Sequence, residues 1–237
     1  MENSEFSTEF DVLYNNITSN KAPGLNEYEK SVFLTNAQLQ LVNEYFNLRT
    51  DGVGGGFDGS QKRQYDFSSI IKTHKCDPYT NSDIIPMDRR GKLFSFPEDY
   101  FLVVNETLLD GKNQYSILPL SYKEYERLML KPYNYPIKKG VWRLIVGTAN
   151  NRSIVELIGK FGEEATYILR YVPKLSPIIL DDLSNYGTGV TIDTLTEATP
   201  CKMPEETHRE ILERAVTLAK IAWQGSTLTQ ATAQQER

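Results

Sequence analysis

The hydrophobic periodicity of the chain changes twice, and this change restricts the fold more than any other feature of the sequence. Near both ends, apolar residues recur at the three- and four-residue spacing of amphipathic helices, whereas the middle alternates with the two-residue period of strands. One uniform helical or sheet architecture cannot satisfy both periods. The pattern predicts an α+β fold, a helical bundle formed by the N- and C-terminal helices with an inserted antiparallel β-rich unit.

Two helices joined by a short turn are predicted within residues 1–48. Phe6, Phe10 and Leu13 lie on one stripe of the first helix, and the pair Pro23-Gly24 ends it. Asn26 is a suitable N-cap for the second helix. This hairpin contains seven acidic residues and two lysines, so it accounts for the whole net charge of −5.

A third helix is predicted from Pro204 to a stop at Gly225. Its broad apolar face includes Ile211, Ala215 and Leu218, and we expect this face to pack on the N-terminal hairpin. The predicted domains are a helical bundle of residues 1–48 and 201–225, a β-rich unit of residues 60–200, a Gly-rich loop of residues 49–59 and a C-terminal arm of residues 226–237.

Several strands are predicted in the middle of the chain, with a hairpin turn near Thr148–Asn151. A capping box formed by Ser121 and Glu124 begins a short helix between two of them. Pro173 and Pro177 end the last strand and indicate an extended segment across a surface. The predicted strands include Phe94–Phe96, Tyr100–Val104, Gln114–Leu118, Val141–Val146, Ile154–Ile158 and Thr166–Val172.

Few residues of the chain are typical of catalytic or metal sites, since it contains two His and two Cys. A structural zinc needs four ligands, and the chain has four candidates in His74, Cys76, Cys201 and His208. Their spacing matches no short-range zinc-ligand motif. Nothing in the sequence marks one of these cysteines and one of these histidines as a nucleophile pair. The loop from Gly54 to Gly59 lacks the preceding strand and following helix of a dinucleotide site. We therefore predict no catalytic, cofactor-binding or metal-binding residues.

The charged residues favour protein contacts over nucleic-acid binding. The net charge of −5 argues against a dedicated phosphate binder. Short basic clusters suit salt bridges with an acidic partner, namely Lys62-Arg63, Arg89-Arg90 and Lys138-Lys139. The acidic pairs Asp181-Asp182 and Glu163-Glu164 are expected on solvated surface. Two cysteines favour a reducing compartment, and no apolar run approaches the length of a membrane span.

Several stretches of the sequence together carry a resemblance to a known family: Phe6–Asn16, Ala22–Leu34, Phe96–Tyr100, Tyr167–Ile178 and Cys201–Ala219. In these stretches the sequence resembles the head-to-tail connector, adaptor or ring proteins of tailed bacteriophages, in particular those of the crAss-like phages of Bacteroides. The resemblance implies a structural virion protein without catalytic residues, made in the host cytoplasm and located in the neck or tail.

The same resemblance implies a homo-oligomeric ring, with twelve copies, that lies below the portal protein and contacts other ring and tail proteins. Such a ring seals a channel through which double-stranded DNA passes without specific binding, and it has no membrane contact. Two other functions remain open from the residues: a sugar- or host-binding β-module of the tail, and a small hydrolase that uses the acidic pairs.

The segment after Gly225 is polar, and Leu228 is its one large apolar side chain. Such a segment cannot bury enough surface to offset its ordering entropy. We therefore predict a C-terminal docking arm that is ordered by a partner such as the portal or a neighbouring copy. The predicted partner-binding residues are Ser226, Thr227, Leu228, Thr229, Gln230, Thr232, Gln234, Gln235 and Arg237.

Overall fold

In a computed structural model, the chain divides into two compact units. The terminal unit comprises Met1–Ile70 and Leu175–Arg237, and the barrel unit comprises Ile71–Lys174. The structure describes residues 1–17, 24–46, 65, 67–131, 133, 135–136, 140–187 and 189–235. For residues 16, 17, 46 and 224–235 it describes the backbone but not the side chains.

Seven strands in the barrel unit form a closed barrel in the order β1-β2-β6-β5-β4-β3-β7. Strand β7 pairs with both β3 and β1, which closes the sheet. Every neighbouring pair is antiparallel except β4 and β5, which run parallel. The strands are β1 (Lys72–Pro78), β2 (Lys92–Ser95), β3 (Tyr100–Asp110), β4 (Asn113–Pro119), β5 (Gly140–Ala149), β6 (Arg152–Ile158) and β7 (Thr166–Pro173).

The parallel pair follows from the helix between its strands. Helix α3 (Tyr122–Met129) begins with the predicted capping box, in which Ser121 and Glu124 bond reciprocally. A parallel connection needs a crossover of a dozen or more residues, and the segment that contains α3 supplies it. Tyr125 of α3 packs with Trp142 and Leu144 of β5 in a small apolar cluster.

The barrel encloses an aromatic-rich core. Its members include Phe94, Phe96, Tyr167 and Leu169, and none of these residues is more than 3% exposed. The predicted turn after β5 is confirmed, since Asn150 and Asn151 adopt φ values of 49° and 61° between β5 and β6. Asparagine tolerates this left-handed conformation, which suits a tight hairpin turn.

The long helices among the described residues of the terminal unit are α1 (Asn3–Ile17), α2 (Glu27–Phe46) and α4 (Glu205–Gln235). The predicted cap of α2 is confirmed, because the Asn26 side chain accepts from the Glu29 amide at 2.8 Å and the Glu29 carboxylate accepts from the Asn26 amide. Both α1 and α2 contact α4. Phe6 and Phe10 of α1 are fully buried, and α4 buries Ile211, Leu212, Ala215 and Val216.

The fold class predicted from the sequence is wrong. The β-rich residues form a closed seven-stranded barrel with one parallel pair, rather than an inserted antiparallel unit. The terminal helices are not a self-contained bundle either, because part of the buried face of α2 binds an extended segment instead of another helix. The error arises because helix and strand periods identify the elements of a fold. They show neither whether a sheet closes into a barrel nor which elements pack together.

One helix end is predicted wrongly and one strand is missed. Helix α4 continues through Gly225 to Gln235, since one glycine costs a helix only about 1 kcal/mol. Strand β1 was not predicted, because its sequence Lys-Thr-His-Lys-Cys-Asp-Pro lacks apolar alternation and only Cys76 is buried. The predicted Gly-rich loop of residues 49–59 lies outside the described residues.

Among the described residues, none of the helices combines the length and apolar character that a bilayer span requires.

We predict that Gly91→Ala destabilises the barrel unit. A Cβ at Gly91 would lie 1.8 Å from Oε1 of Glu156, a fully buried carboxylate that the amides of Met87 and Asp88 hold in place. The expected loss is about 1–3 kcal/mol in the free energy of unfolding, measured by denaturant titration. Gly140→Ala is the matched control, because no atom lies within 4 Å of its added Cβ. Equal stability of the two variants would contradict this packing.

Candidate functional site

The four residues considered for zinc do not come together in one group of three or more: His74 and Cys76 lie on β1, whereas Cys201 and His208 lie in the terminal unit. Cys201 donates to the Gln38 side-chain oxygen at 3.7 Å, and the ring of His208 contacts the Met203 carbonyl and the Met1 amino group at 2.8 and 2.9 Å. Cys76 lies in the barrel core. Within the part of the chain that the structure describes, no three His, Cys, Asp or Glu side chains form a group suited to a metal ion.

Neither thiol is poised as a nucleophile. Burial, with the nearby charges of Glu106 and Asp77, raises the pKa of Cys76 to about 12. Burial likewise raises the pKa of Cys201 to about 11. Both groups therefore remain protonated at neutral pH, whereas a reactive cysteine needs a lowered pKa. Burial also lowers the pKa of His208, which favours the neutral ring.

The acidic pair Asp181-Asp182 has a local structural role. Asp182 caps a short 3₁₀ helix (Leu183–Tyr186), where its side chain accepts from the amide and hydroxyl of Ser184 at 2.9 and 2.7 Å. Asp181 accepts from the Asp182 amide and the Tyr186 hydroxyl. The pair Glu163-Glu164 is exposed, as expected. No arrangement of two facing catalytic carboxylates results from either pair.

Sequence reasoning missed Glu156, which is fully buried. Its two carboxylate oxygens accept from the amides of Met87 and Asp88 at 2.7 and 2.8 Å, so it fixes the loop before β2. Burial raises the pKa of Glu156, while the two amide bonds oppose the shift. The available signal is a lone carboxylate within the apolar run of β6.

A second missed group is an ion pair inside the barrel. Nε of Arg143 on β5 lies 2.9 Å from Oε1 of Glu106 on β3, and both side chains are at least 90% buried. The Tyr167 hydroxyl donates to the same carboxylate at 2.5 Å. Burial, followed by the Glu106 charge, raises the pKa of Tyr167. The Glu106 carboxylate therefore joins Arg143 of β5 and Tyr167 of β7 to β3, so the role of the three groups is to fix the register of these strands.

The main polar feature of the terminal unit is a row of side chains on α2, which we call the α2 ladder: Ser31, Thr35 and Gln38. Ser31 Oγ accepts from the Leu180 amide at 3.0 Å, and Thr35 Oγ1 accepts from the Ile178 amide at 3.1 Å. Gln38 donates to the Ser176 carbonyl at 3.0 Å. All three side chains are buried. The ladder confirms the extended segment predicted after Pro173 and shows what it lies on.

Two further contacts fix the same segment from its other sides. Ile179 exchanges backbone hydrogen bonds with Thr199 at 3.1 and 2.9 Å. The side chain of Asn3 donates to the Ile179 carbonyl at 2.9 Å. The segment that precedes α4 is therefore attached to both α1 and α2, although its sequence predicted no regular element.

A buried lysine joins α1 to the start of α2. The ammonium group of Lys30 contacts Asp11 at 2.7 Å, Glu27 at 2.9 Å and Ser7 at 3.1 Å, so its three donors are satisfied. Desolvation opposes its charge, but the bonds to Asp11 and Glu27 outweigh this effect and raise the pKa of Lys30. Removal of Lys30 would leave two carboxylates facing each other near a buried position.

The predicted docking arm falls partly within α4. The backbone of residues 226–235 is helical as the continuation of α4, while Arg237 and the side chains of the arm lie outside what the structure describes. The basic clusters Lys62-Arg63 and Lys138-Lys139 also lie outside the described residues, whereas Arg89 and Arg90 are exposed.

Comparison with known proteins identifies the class of protein. A family model described as phage tail ring protein 3/4 matches residues 1–232. Ring protein 4/5 of Bacteroides phage crAss001 is 47% identical over 226 residues, which cover 95% of this chain and 94% of that protein. Ring protein 3 of the same phage is 31% identical over 231 residues, or 94% and 96% of the two chains.

These similarities define a structural tail ring component of the phage virion. The chain belongs to the phage tail ring protein 3/4 family. The resemblance to ring proteins of crAss-like phages is therefore confirmed, and it implies association with other phage tail proteins.

We predict that Thr35→Val destabilises the terminal unit. The substitution keeps the shape of the side chain but removes the acceptor of the buried Ile178 amide. An unsatisfied buried donor costs about 1–3 kcal/mol, which denaturant titration measures as a loss in the free energy of unfolding. Thr8→Val is the control, since the Thr8 hydroxyl bonds only to the Ser4 carbonyl on an exposed turn of α1. A loss as small as that of the control would contradict a structural role for the α2 ladder.

Proposed function

We propose that the chain forms a homo-oligomeric ring of twelve copies in the neck of the virion, below the portal protein. The ring connects head to tail, seals the channel through which double-stranded DNA passes and presents a docking surface to other ring and tail proteins. The observation that carries the proposal is the match of nearly the whole chain to a tail ring family and to two phage proteins named as ring proteins.

The charge of the chain supports a conduit rather than a DNA-binding role. Lys and Arg number 26 and Asp and Glu number 31. A protein that binds DNA tightly neutralises phosphates with clustered cations, and this binding would slow the passage of DNA. A wall with a small acidic excess does not retain the phosphate backbone.

The buried polar contacts support a structural rather than a catalytic protein. Glu106, Arg143 and Tyr167 satisfy one another, and Glu156 is satisfied by two amides. A catalytic acid or base needs access to a substrate and a pKa near the working pH. These groups instead hold strands and a loop in place, as a rigid subunit of a ring requires.

Within this function, residues 226–237 act as the docking arm onto the portal or a neighbouring copy. Their backbone extends α4 as a helix to Gln235. Leu228 is the large apolar residue of a segment otherwise composed of small and polar side chains. A helix with one apolar anchor and Thr and Gln side chains can bind a groove with polar edges.

We predict that deletion of residues 226–237 leaves the melting temperature of the purified chain within about 2 °C of the intact chain, yet abolishes its incorporation into particles. Calorimetry measures the first quantity, and electron microscopy of assembled necks with labelled chain measures the second. Deletion of residues 236–237 alone is the control and should assemble. Normal assembly of the long deletion would contradict the arm, and the absence of any ring from the intact chain in particles would contradict the proposed function.

A further inference from the structure

The barrel unit exposes a group of apolar side chains that we call the barrel patch: Ile85, Met87, Leu130 and Tyr133. Leu130 and Tyr133 follow α3 and are 82% and 90% exposed, and Ile85 in the loop before β2 is 82% exposed. Large apolar side chains grouped on a surface are typical of interaction sites.

The two segments of the barrel patch are held side by side. The guanidinium group of Arg90 lies 3.7 Å from the centroid of the Tyr135 ring, and the Tyr125 hydroxyl donates to Asp88 at 3.5 Å. The loop before β2 and the segment that follows α3 are therefore in contact through Arg90 and Tyr135. Near the barrel patch in sequence, the exposed cations Arg89, Arg127 and Lys131 outnumber the exposed acids Asp83 and Glu126.

The terminal unit contains a matching concave surface between α2 and α4, which we call the α2–α4 groove. One part has a volume of about 410 Å³ and an adjoining part about 420 Å³, with Gln40, Leu218 and Ile221 common to both. Apolar side chains line it, with Glu210 and Glu213 at one end. Its apolar lining consists of Phe33, Leu39, Leu218, Ile221 and Ala222.

The groove end near Glu210 carries more carboxylates than its cations neutralise. Arg214 pairs with Glu210 at 2.7 Å and with Glu44, so one guanidinium group serves two carboxylates. Glu213 pairs with the exposed Arg209 along the helix at 3.2 Å, a contact that contributes little. An excess of acceptors therefore remains at the edge of the groove.

The two units of each chain carry opposite net charge. The barrel unit contains 16 Lys and Arg against 12 Asp and Glu, whereas the terminal unit contains 10 against 19. A basic apolar patch and an acidic apolar groove are complementary, and such complementarity selects and steers a partner. Since both surfaces occur on every copy, the partner that fits each of them is a second copy of this chain.

We propose that the barrel patch of one copy docks into the α2–α4 groove of the next copy. Leu130 and Tyr133 enter the apolar floor, and the cations beside them face Glu210 and Glu213. Contact between two different surfaces is head-to-tail, and such contacts close into a ring when the rotation between copies divides a full turn. The proposal rests on the proposed ring function and assigns the surfaces that build the ring.

Single substitutions test each surface separately. Leu130→Asp removes the patch and Ile221→Asp removes the groove, and both side chains are more than half exposed, so both variants should fold. Each is expected to weaken self-association by about 30-fold or more, as loss of an interface hot spot does. Val12→Asp is the control, since Val12 is 53% exposed on α1 and belongs to neither surface.

Mixing of the two variants gives the decisive result. The Leu130→Asp chain retains its groove and the Ile221→Asp chain retains its patch, so an equimolar mixture can form one intact contact and no second one. Light scattering after size-exclusion chromatography should show a one-to-one dimer in the mixture, monomers in each separate sample and rings in the Val12→Asp sample.

Other outcomes distinguish this inference from the ring function itself. Normal rings from either variant, or a mixture that stays monomeric while the unaltered chain forms rings, would overturn the patch–groove contact and leave the ring function standing. An unaltered chain that stays monomeric at every concentration, with a mixture that also stays monomeric, would overturn both.

Discussion

The terminal unit depends on the hydrogen bonds between the α2 ladder and residues 176–180. An extended backbone normally pairs with a strand, but here Ser31, Thr35 and Gln38 satisfy it from a helix. The geometry is possible because a helix turn advances about 5.4 Å and two residues of a strand advance about 6.6 Å. Successive side chains of the ladder therefore bind alternate residues of the segment, namely Leu180, Ile178 and Ser176. Loss of one bond leaves a buried amide or carbonyl unpaired.

In the barrel unit, closure of the sheet pairs the backbone groups of every strand with a neighbouring strand. A closed sheet has no edge strands, so the unit does not present an unpaired ladder to its many neighbours in an assembly. The most exposed of the large apolar side chains described in the unit, Ile85, Leu130 and Tyr133, lie in the loop before β2 and after α3. A subunit of a ring benefits from the closed sheet, because non-specific strand addition is suppressed.

The elements could be predicted from the sequence, but their partners could not. Strands β2 to β7, α3 and both N-terminal helices follow from periodicity and from capping residues such as Asn26 and Ser121. Strand β1 has no apolar alternation, and the end of α4 carries a glycine that a long helix tolerates. The buried Glu156 and the α2 ladder look like solvent-facing residues in sequence, since their partners are backbone groups. Such partners leave no mark in a hydrophobic pattern.

Hydrogen exchange of the amides of Ile178 and Leu180 tests this account most directly. If the α2 ladder holds the terminal unit together, both amides exchange only when the unit unfolds, within about tenfold of the rate of the buried helix amides of Leu41 and Ala215. Exchange of Ile178 and Leu180 at the rate of exposed loop amides, while Leu41 and Ala215 remain protected, would show that the segment opens independently and would contradict the account.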